Sequence, residues 1–396
     1  MSLFAPPELM RTEIFAEVPA KLRKSGTPPE RLAAGKGPTP AGCFLEGPAF
    51  DRAANLHRLR QRLDPYRAGA DARARSVFTP MKKLLLALLL VAGTAHAFPT
   101  KPVRIIVAFP PGGGTDIVAR VVGQKLGEGW NQAVVVENRA GASGTIGTEI
   151  AARAEPDGHT LFMATMGNMT ANQHLYPKMA VDPLRAFAPI TKVVDVHFVF
   201  LAHPALAANS VGELIELAKK RPGDIPYSSS GPGGAPHLAM ELFKRQASID
   251  LIHIPYKGSS PSIGDLIGGR VMLTMDSLVQ SFPHLKAGRL KALAVLGPRR
   301  TALLPEVPTI AEAGLPGYAL TNWFGLLAPA AAPKETVLKI HADVIRVLRD
   351  PEVKKRITDL GADVVGNSPE EFGAAMRAES AQWAEIIKAA NIRAEE

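Results

Sequence analysis

The sequence is almost free of cysteine, because Cys43 is the only one among its 396 residues. Residues 98–396 therefore contain no thiol. This absence excludes disulfides, cysteine-ligated zinc and thiolate catalysis from that part of the chain. A chain without thiols is also suited to an oxidising compartment.

Long apolar runs are lacking as well. The run from Leu84 to Ala92 has about half of the roughly 20 residues that a membrane-spanning helix needs. It comes after the basic start Met81-Lys82-Lys83 and precedes Ala95-His96-Ala97, which has the A-x-A pattern of a cleavage site. Together these features predict a secretory signal peptide over residues 81–97, and a periplasmic location for residues 98–396.

An excess of positive charge is confined to the beginning of the chain. Residues 1–97 hold fifteen of the 46 Lys and Arg residues but only eight of the 37 Asp and Glu residues, so the remainder is nearly neutral in spite of the overall charge of +9. Because a signal peptide acts at an N-terminus, we interpret residues 1–80 as disordered upstream sequence that does not belong to the folded protein. A basic tail that binds nucleic acid or a membrane is the alternative.

Catalytic and nucleotide-binding motifs are absent or incomplete. No lysine follows Gly114, as a phosphate-binding NTPase loop would require. The run Gly112–Ile117 has isoleucine at the position where the dinucleotide-binding fingerprint G-x-G-x-x-G requires its last glycine. The run Gly141–Thr145 misses the G-x-S-x-G elbow at its last position, and neither H-E-x-x-H nor C-x-x-C occurs. We therefore expect a protein that is not an enzyme and has no cofactor or metal.

The chain from residue 98 onwards has the alternation of an α/β protein. Val103–Phe109 is an apolar, β-branched run, and it leads through the glycine loop Pro110–Asp116 into the periodic segment Ile117–Leu126. The same order recurs with strands at 133–137 and 160–165 and a helix at 145–154. This alternation predicts a parallel, doubly wound sheet.

A second set of alternating elements begins near residue 198. Its glycine loop, Ser228–Gly234, again follows a strand and precedes a helix. Capping boxes mark the helices that start after Ser210 and Ser368. The predicted elements are strands at 198–202, 249–254, 271–275 and 291–296, and helices at 210–220, 237–246, 261–267, 333–349, 351–360 and 369–389.

Both glycine loops favour an anionic ligand. Glycine lets the backbone approach a ligand, and a following helix N-terminus presents unpaired N–H groups and a positive dipole end. A carboxylate or a phosphate fits, and a tight turn without ligand is the alternative for either loop. His237 is a hydrogen-bond donor to the ligand or a packing residue, and Asp116 and Asp276 either cap helices or accept from a ligand amine or hydroxyl.

Several motifs in the same order resemble the Bug proteins, the TctC-like extracytoplasmic solute receptors of the tripartite tricarboxylate transporter family. The resemblance covers essentially all of residues 98–396. The matching motifs are Val107–Asp116, Glu137–Gly144, Pro156–Leu161, Ile254–Gly258 and Leu304–Gly314.

The resemblance implies a two-lobed periplasmic binding protein of the Venus flytrap kind, type II-like, with two doubly wound sheets and two chain crossovers. Lobe one would comprise residues 98–198 plus 320–396, and lobe two residues 199–319. A small carboxylic acid or amino acid would be captured between the lobes of a monomer. Its partner would be a tripartite tricarboxylate-type membrane transporter or a sensor protein, and not nucleic acid.

The resemblance also implies which residues hold the ligand. Lobe one would contribute a first loop and its neighbours, namely Phe109, Pro111, Gly113, Gly114, Asp116, Gly144, Thr165, Gly167 and Asn168. Lobe two would contribute Ser229, Ser230, Gly231, Gly233 and His237, with Asp276 facing the distal end of the ligand.

This chain departs from the family pattern at three places. The loop Thr165–Met169 is bulkier than the version common in the family, and Pro232 and Pro236 stand near positions where many relatives have small residues. Each proline removes an N–H donor. An α/β enzyme acting on a carboxylate through Ser143 or His237 remains an alternative from another class.

Overall fold

A computed structural model describes residues 98–176, 179–390 and 392. These residues all belong to one compact unit. The predicted signal peptide, residues 81–97, and the upstream segment, residues 1–80, lie outside the described residues and stay predictions. No helix in the described part of the chain is long and apolar enough to cross a membrane.

Eleven strands form within the described residues. They are β1 Val103–Val107, β2 Val134–Asn138, β3 Thr160–Thr165, β4 Phe187–Val196, β5 Phe198–Ala202, β6 Pro226–Ser229, β7 Ile252–Pro255, β8 Leu273–Ser277, β9 Lys291–Val295, β10 Asn322–Pro329 and β11 Ala362–Val364.

Eleven α-helices accompany the strands in the described residues. They are α1 Gly114–Trp130, α2 Thr145–Ala152, α3 Asn172–Leu175, α4 Pro183–Ala186, α5 Val211–Lys220, α6 Ala235–Ala247, α7 Ser259–Ile267, α8 Leu278–Lys286, α9 Lys334–Arg349, α10 Pro351–Asp359 and α11 Pro369–Ala390. A 3₁₀ turn precedes α2 at Ala142–Gly144, and a π-helical turn precedes α3 at Gly167–Ala171.

The first sheet has the strand order β11-β4-β10-β3-β1-β2. Strand β1 pairs in parallel with β2 and β3, as the alternation predicts. Strand β10 is antiparallel to both β3 and β4, and β11 is antiparallel to β4. The sheet is therefore mixed. Its parallel half contains the strands that lead through glycine-containing loops into helices. We call this sheet and its helices lobe one.

The second sheet has the strand order β7-β6-β8-β5-β9. Strand β6 pairs in parallel with β7 and β8, whereas β5 is antiparallel to β8 and β9. We call this sheet and helices α5–α8 lobe two. The same arrangement of a parallel half and an antiparallel returning strand thus occurs twice.

The chain crosses between the two sheets twice. The first crossing is at His197, the one residue between β4 and β5, and the second lies between β9 and β10. These crossings and the two sheets make the molecule a two-lobed α/β binding-protein fold, as predicted. Parallel strands place their carboxyl ends, and the helix N-termini that come next, at one edge of each sheet.

Strands β4 and β10, which are antiparallel to each other, were not predicted. Strand β10, with the sequence NWFGLLAP, is buried along its whole length, and β4 alternates only in part. A fully buried run lacks the period-2 pattern that identifies a strand. Helix α8 was also missed, because Pro283 interrupts its pattern. Strand β8 begins two residues later than predicted and ends at Ser277.

Both predicted capping boxes form. The Ser210 hydroxyl accepts from the Glu213 N–H at 3.1 Å, and the Ser368 hydroxyl accepts from the Glu371 N–H at 3.2 Å. The Glu371 carboxylate accepts in return from the Ser368 N–H at 2.9 Å. These bonds satisfy N–H groups that have no helical partner, and they explain why α5 and α11 begin where the sequence indicates.

Candidate ligand-binding site

A cavity of about 40 Å³ lies where the two lobes meet. One water needs roughly 10–15 Å³, so the space exceeds that of a single water. Lobe one lines it with Phe109, Pro110, Gly113, Gly114, Thr115, Thr165, Asn322 and Phe324, and lobe two with Phe198, Ser230, Ala235, Pro236, Ser259, Asp276 and Ser277.

Four helices begin at residues that line this cavity. Gly114, Ala235 and Ser259 are the first residues of α1, α6 and α7, and Ser277 is the N-cap of α8. In α1 the first N–H with a helical partner is that of Ile117, so the N–H groups before it have none within the helix. Positive dipole ends from both lobes therefore converge on the cavity.

Among the described residues, no Lys, Arg or His lines the cavity. The only ionisable residue among the described lining residues is Asp276 in β8, which is 1% exposed. One carboxylate oxygen of Asp276 accepts from the Ser277 N–H at 2.6 Å, and the other has no hydrogen-bond partner. Burial raises the pKa of Asp276 to about 6, because a low-dielectric site disfavours the charged form.

Asp116 holds the first loop together and does not line the cavity. Its carboxylate accepts from the Gly112 N–H at 2.9 Å, from the Asn138 side-chain amide at 3.0 Å and from the Arg120 guanidinium. These hydrogen bonds hold the pKa of Asp116 below its usual value in spite of burial, which alone would raise it. The residue therefore fixes the backbone of the loop before α1.

Asn168 supports the loop after β3 in the same way. Its side-chain oxygen accepts from the Thr165 N–H at 2.8 Å and from the Thr165 hydroxyl at 3.1 Å. Thr165 itself lines the cavity. Gly144 stands behind Phe109, where an added Cβ would lie 3.2 Å from the ring, so a side chain there would displace a lining residue.

His237 is engaged with its own lobe. Its Nδ1 accepts from the Gly233 N–H at 3.1 Å, and its ring stacks on His253 with centroids 4.4 Å apart. Burial lowers the pKa of His237 to about 4, so the ring is neutral near pH 7. Ser229 also supports the second loop, because its hydroxyl accepts from the Gly231 N–H at 3.1 Å.

The structure brings six of the fifteen predicted residues together around the cavity: Phe109, Gly113, Gly114, Thr165, Ser230 and Asp276. The other nine do not line it and stay predictions as ligand contacts: Pro111, Asp116, Gly144, Gly167, Asn168, Ser229, Gly231, Gly233 and His237. Pro111 is exposed, whereas Gly167, Gly231 and Gly233 lie where the lobes touch.

Sequence reasoning missed several lining residues. Ser277 lines the cavity as the N-cap of α8, and Asn322 and Phe324 belong to β10. Neither element was predicted, so their residues had no assigned place. A signal for Ser277 was present, because a serine that follows a buried strand is a frequent helix N-cap.

The described residues contain no group of three or more His, Cys, Asp or Glu side chains that could hold a metal ion. The Ser143 and His237 side chains, which the enzyme alternative would require, do not line the cavity.

The sequence and the fold of the described residues match known proteins over most of this chain. Residues 118–392 match the family model described as "Tripartite tricarboxylate transporter family receptor". Protein BugT of Bordetella pertussis is 33% identical over 296 residues, which is 74% of this chain and 91% of that protein.

Solved structures agree with this relationship. The periplasmic binding protein BugD is 36% identical with a TM-score of 0.72, and the match covers 75% of this chain and 99% of BugD. The R. palustris protein Rpa4515, solved with adipate, is 36% identical with a TM-score of 0.73 over 75% of this chain and 99% of that one.

A third structure is MatC (Rpa3494) from Rhodopseudomonas palustris with bound malate. It is 31% identical with a TM-score of 0.71, and the match covers 73% of this chain and 100% of MatC. The chain therefore belongs to the receptor family of the tripartite tricarboxylate transporters, the periplasmic solute-binding proteins that include the Bug proteins.

Proposed function

We propose that this protein is an extracytoplasmic receptor that captures a small carboxylate between its two lobes and delivers it to a tripartite tricarboxylate-type transporter. The observation that carries the proposal is the convergence of four helix N-termini on one cavity. Helix N-termini stabilise an anion through unpaired N–H groups and aligned dipoles. The lining needs no basic side chain to do so.

The relatives indicate the chemical class of the anion. Rpa4515 was solved with adipate and MatC with malate, and both ligands are small acids with two carboxyl groups. Two chemical environments in the cavity suit such a molecule. One carboxylate would accept from the N–H groups before Ile117 in α1, and the far end would lie toward Asp276.

Capture requires closure of the lobes. Because both lobes line the cavity, a ligand can bridge the α1 terminus and the α6 terminus only when they approach each other. These contacts favour the closed form, so binding shifts the population toward it. We propose that lobe one and lobe two move as the two bodies, with His197 at one crossing.

The proposed function involves no covalent chemistry, and among the described residues that line the cavity no nucleophile is paired with a histidine base. The predicted signal peptide at 81–97 would export the protein to the periplasm, where the closed, loaded form would dock on the membrane transporter. The protein would act as a monomer, because one chain supplies both halves of the cavity.

Thermal unfolding against a set of acids tests the proposal. The chain is purified from an exported source and mixed with adipate, malate, citrate or monocarboxylates, and with adipamide as the uncharged control. A saturable rise in the unfolding temperature with an acid and not with adipamide is expected, because a ligand at about 100 times its Kd adds about 2.7 kcal/mol. No shift with any acid contradicts the proposal.

A further inference from the structure

We infer that Tyr176 and the segment Gly231–Pro232–Gly233 form a latch between the lobes, which raises ligand affinity through protein–protein contacts outside the cavity. The inference rests on the proposed function, since affinity is defined only for a receptor that closes on a ligand. None of these residues lines the cavity. The latch is a second set of contacts between the lobes, beside the ligand site.

The polar part of the latch is one hydrogen bond. Tyr176, directly after α3 in lobe one, donates its hydroxyl hydrogen to the carbonyl oxygen of Pro232 at 2.5 Å. Pro232 belongs to the loop between β6 and α6 in lobe two. Proline holds φ near −65°, so the chain presents this carbonyl in a restricted direction.

The packing part of the latch requires glycine on the lobe-two side. A Cβ at Gly233 would lie 2.9 Å from the side-chain oxygen of Asn172 and 2.9 Å from Cδ1 of Leu175. A Cβ at Gly231 would lie 2.6 Å from the hydroxyl oxygen of Ser143. Both glycines have positive φ, +119° for Gly231 and +80° for Gly233. The backbone of lobe two thus lies against side chains of lobe one, at distances that leave no room for a Cβ at Gly231 or Gly233 unless those side chains move.

The lobe-one side of the latch is internally fixed. The Asn172 side-chain amide donates to the Ser143 carbonyl at 3.0 Å, which ties α3 to the turn before α2. The same turn bears positive φ at Ala142 and Ser143, of +44° and +52°. The surface that receives the Gly231–Gly233 segment is therefore held in shape by lobe one alone.

A contact made only in the closed form stabilises that form relative to the open form. It therefore raises the apparent affinity of any ligand that needs closure. Loss of one neutral hydrogen bond lowers the equilibrium constant for closure by about twofold to tenfold. Because the contact forms after the ligand has entered, most of the loss is expected in the dissociation rate.

The test compares Tyr176→Phe with the wild type in the full chain. Adipate and malate binding is measured by calorimetry and stopped flow. The population of the closed form is measured from the distance between spin labels at Glu216→Cys in α5 and Glu335→Cys in α9, in a Cys43→Ser background. Glu216 and Glu335 are exposed and lie in different lobes. The matched control is Tyr256→Phe, which removes a hydrogen bond of 2.7 Å to Asp265 within lobe two.

The latch predicts a smaller closed population for Tyr176→Phe, binding weakened about twofold to tenfold through faster dissociation, and an unchanged unfolding temperature without ligand. Tyr256→Phe is expected to bind as the wild type does. Equal closed populations in the wild type and Tyr176→Phe would overturn the latch, as would a wild type that stays open under every condition. Failure of both acids to bind would instead refute the proposed function, while the label distances still test the latch.

A second pair of variants tests the packing part. Gly233→Ala is expected to reduce the closed population more than Tyr176→Phe does, because the methyl group meets the Asn172 side chain. Gly288→Ala is the control, since Gly288 has a similar φ of +67° and no atom within 4 Å of an added Cβ. A loss of closure in Gly288→Ala equal to that in Gly233→Ala would assign the effect to backbone strain and overturn this part of the latch.

Discussion

At the scale of single residues, we expect Asp276 to determine how the site responds to pH. It is the only ionisable residue among the described residues that line the cavity, and burial raises its pKa to about 6. A dicarboxylate whose far end lies toward Asp276 is repelled by the ionised form and accepts a hydrogen bond from the neutral form. Binding such a ligand therefore takes up a proton at pH values above 6.

We expect adipate to bind about tenfold more tightly at pH 6 than at pH 8, and Asp276→Asn to lose most of this dependence. Calorimetry in two buffers with different ionisation enthalpies measures the proton uptake directly. An affinity for adipate that rises with pH would contradict the assignment of Asp276 to the far end of the ligand.

Glu379, a partly buried acid, is expected to affect stability. Its carboxylate in α11 accepts from the Trp323 indole N–H at 2.9 Å and from the Thr170 hydroxyl at 3.0 Å. Burial raises its pKa to about 7. The folded state thus binds a proton that the unfolded state releases, so this residue adds stability as pH falls from about 8 to 5.

We predict that Glu379→Gln is more stable than the wild type at pH 8, by up to about 3 kcal/mol, and gains much less on acidification to pH 6. The glutamine side chain keeps one oxygen as a hydrogen-bond acceptor and has an amide NH2 group in place of the protonated oxygen. Urea unfolding at both pH values measures the difference. Parallel pH profiles for the two proteins would show that Glu379 is ionised in the folded state.

At the scale of elements, the start of α1 sets how closely the lobes approach. A Cβ at Gly114 would lie 2.8 Å from the Ser277 hydroxyl oxygen in lobe two and 3.3 Å from the Phe324 ring. Gly114→Ala is therefore expected to weaken adipate binding by about tenfold or more, without lowering the unfolding temperature of the ligand-free protein, because alanine is favoured in a helix.

Gly129→Ala provides the control in the same helix, since no atom lies within 4 Å of an added Cβ there. This variant is expected to gain about 0.5–1 kcal/mol in stability and to bind adipate unchanged. If Gly114→Ala binds as tightly as Gly129→Ala, the closed arrangement of α1 against β8 is not the one that holds the ligand.

Elements with a clear period or cap could be predicted from the sequence. Strands β3 and β5 occupy the predicted residues, and α5 begins after Ser210 as its capping box indicates. The strands that return the chain within lobe one could not be predicted from the sequence. Strand β10 is buried on both faces and antiparallel to its neighbours, so nothing local distinguishes it from a buried loop or helix.

The backbone loops of the candidate site could be predicted from the sequence, whereas the orientation of its side chains could not. The glycine loops are visible because glycine and a following helix leave a local pattern. The role of Asp116 depends on Asn138, which is 22 residues away in sequence, and that of His237 on its own loop at Gly233. Whether a polar side chain turns to the ligand or to its own loop is a matter of tertiary packing.

At the scale of the whole molecule, two mixed sheets, two crossings and a cavity lined by both lobes form the fold of a solute-binding receptor. The ligand site and the latch that we propose lie on the same interlobe face, and both are expected to favour closure. Neither lobe alone has all four helix N-termini that begin at the cavity. We therefore expect affinity to depend on residues in both lobes.

A crystal structure of the protein with adipate would show whether the ligand bridges the two lobes. One carboxylate is expected within hydrogen-bonding distance of the N–H groups of Gly114 or Thr115 in lobe one, and the same molecule is expected to contact Ser230 or Ala235 in lobe two. Adipate bound to one lobe alone, or outside the cavity where the four helices begin, would contradict this expectation.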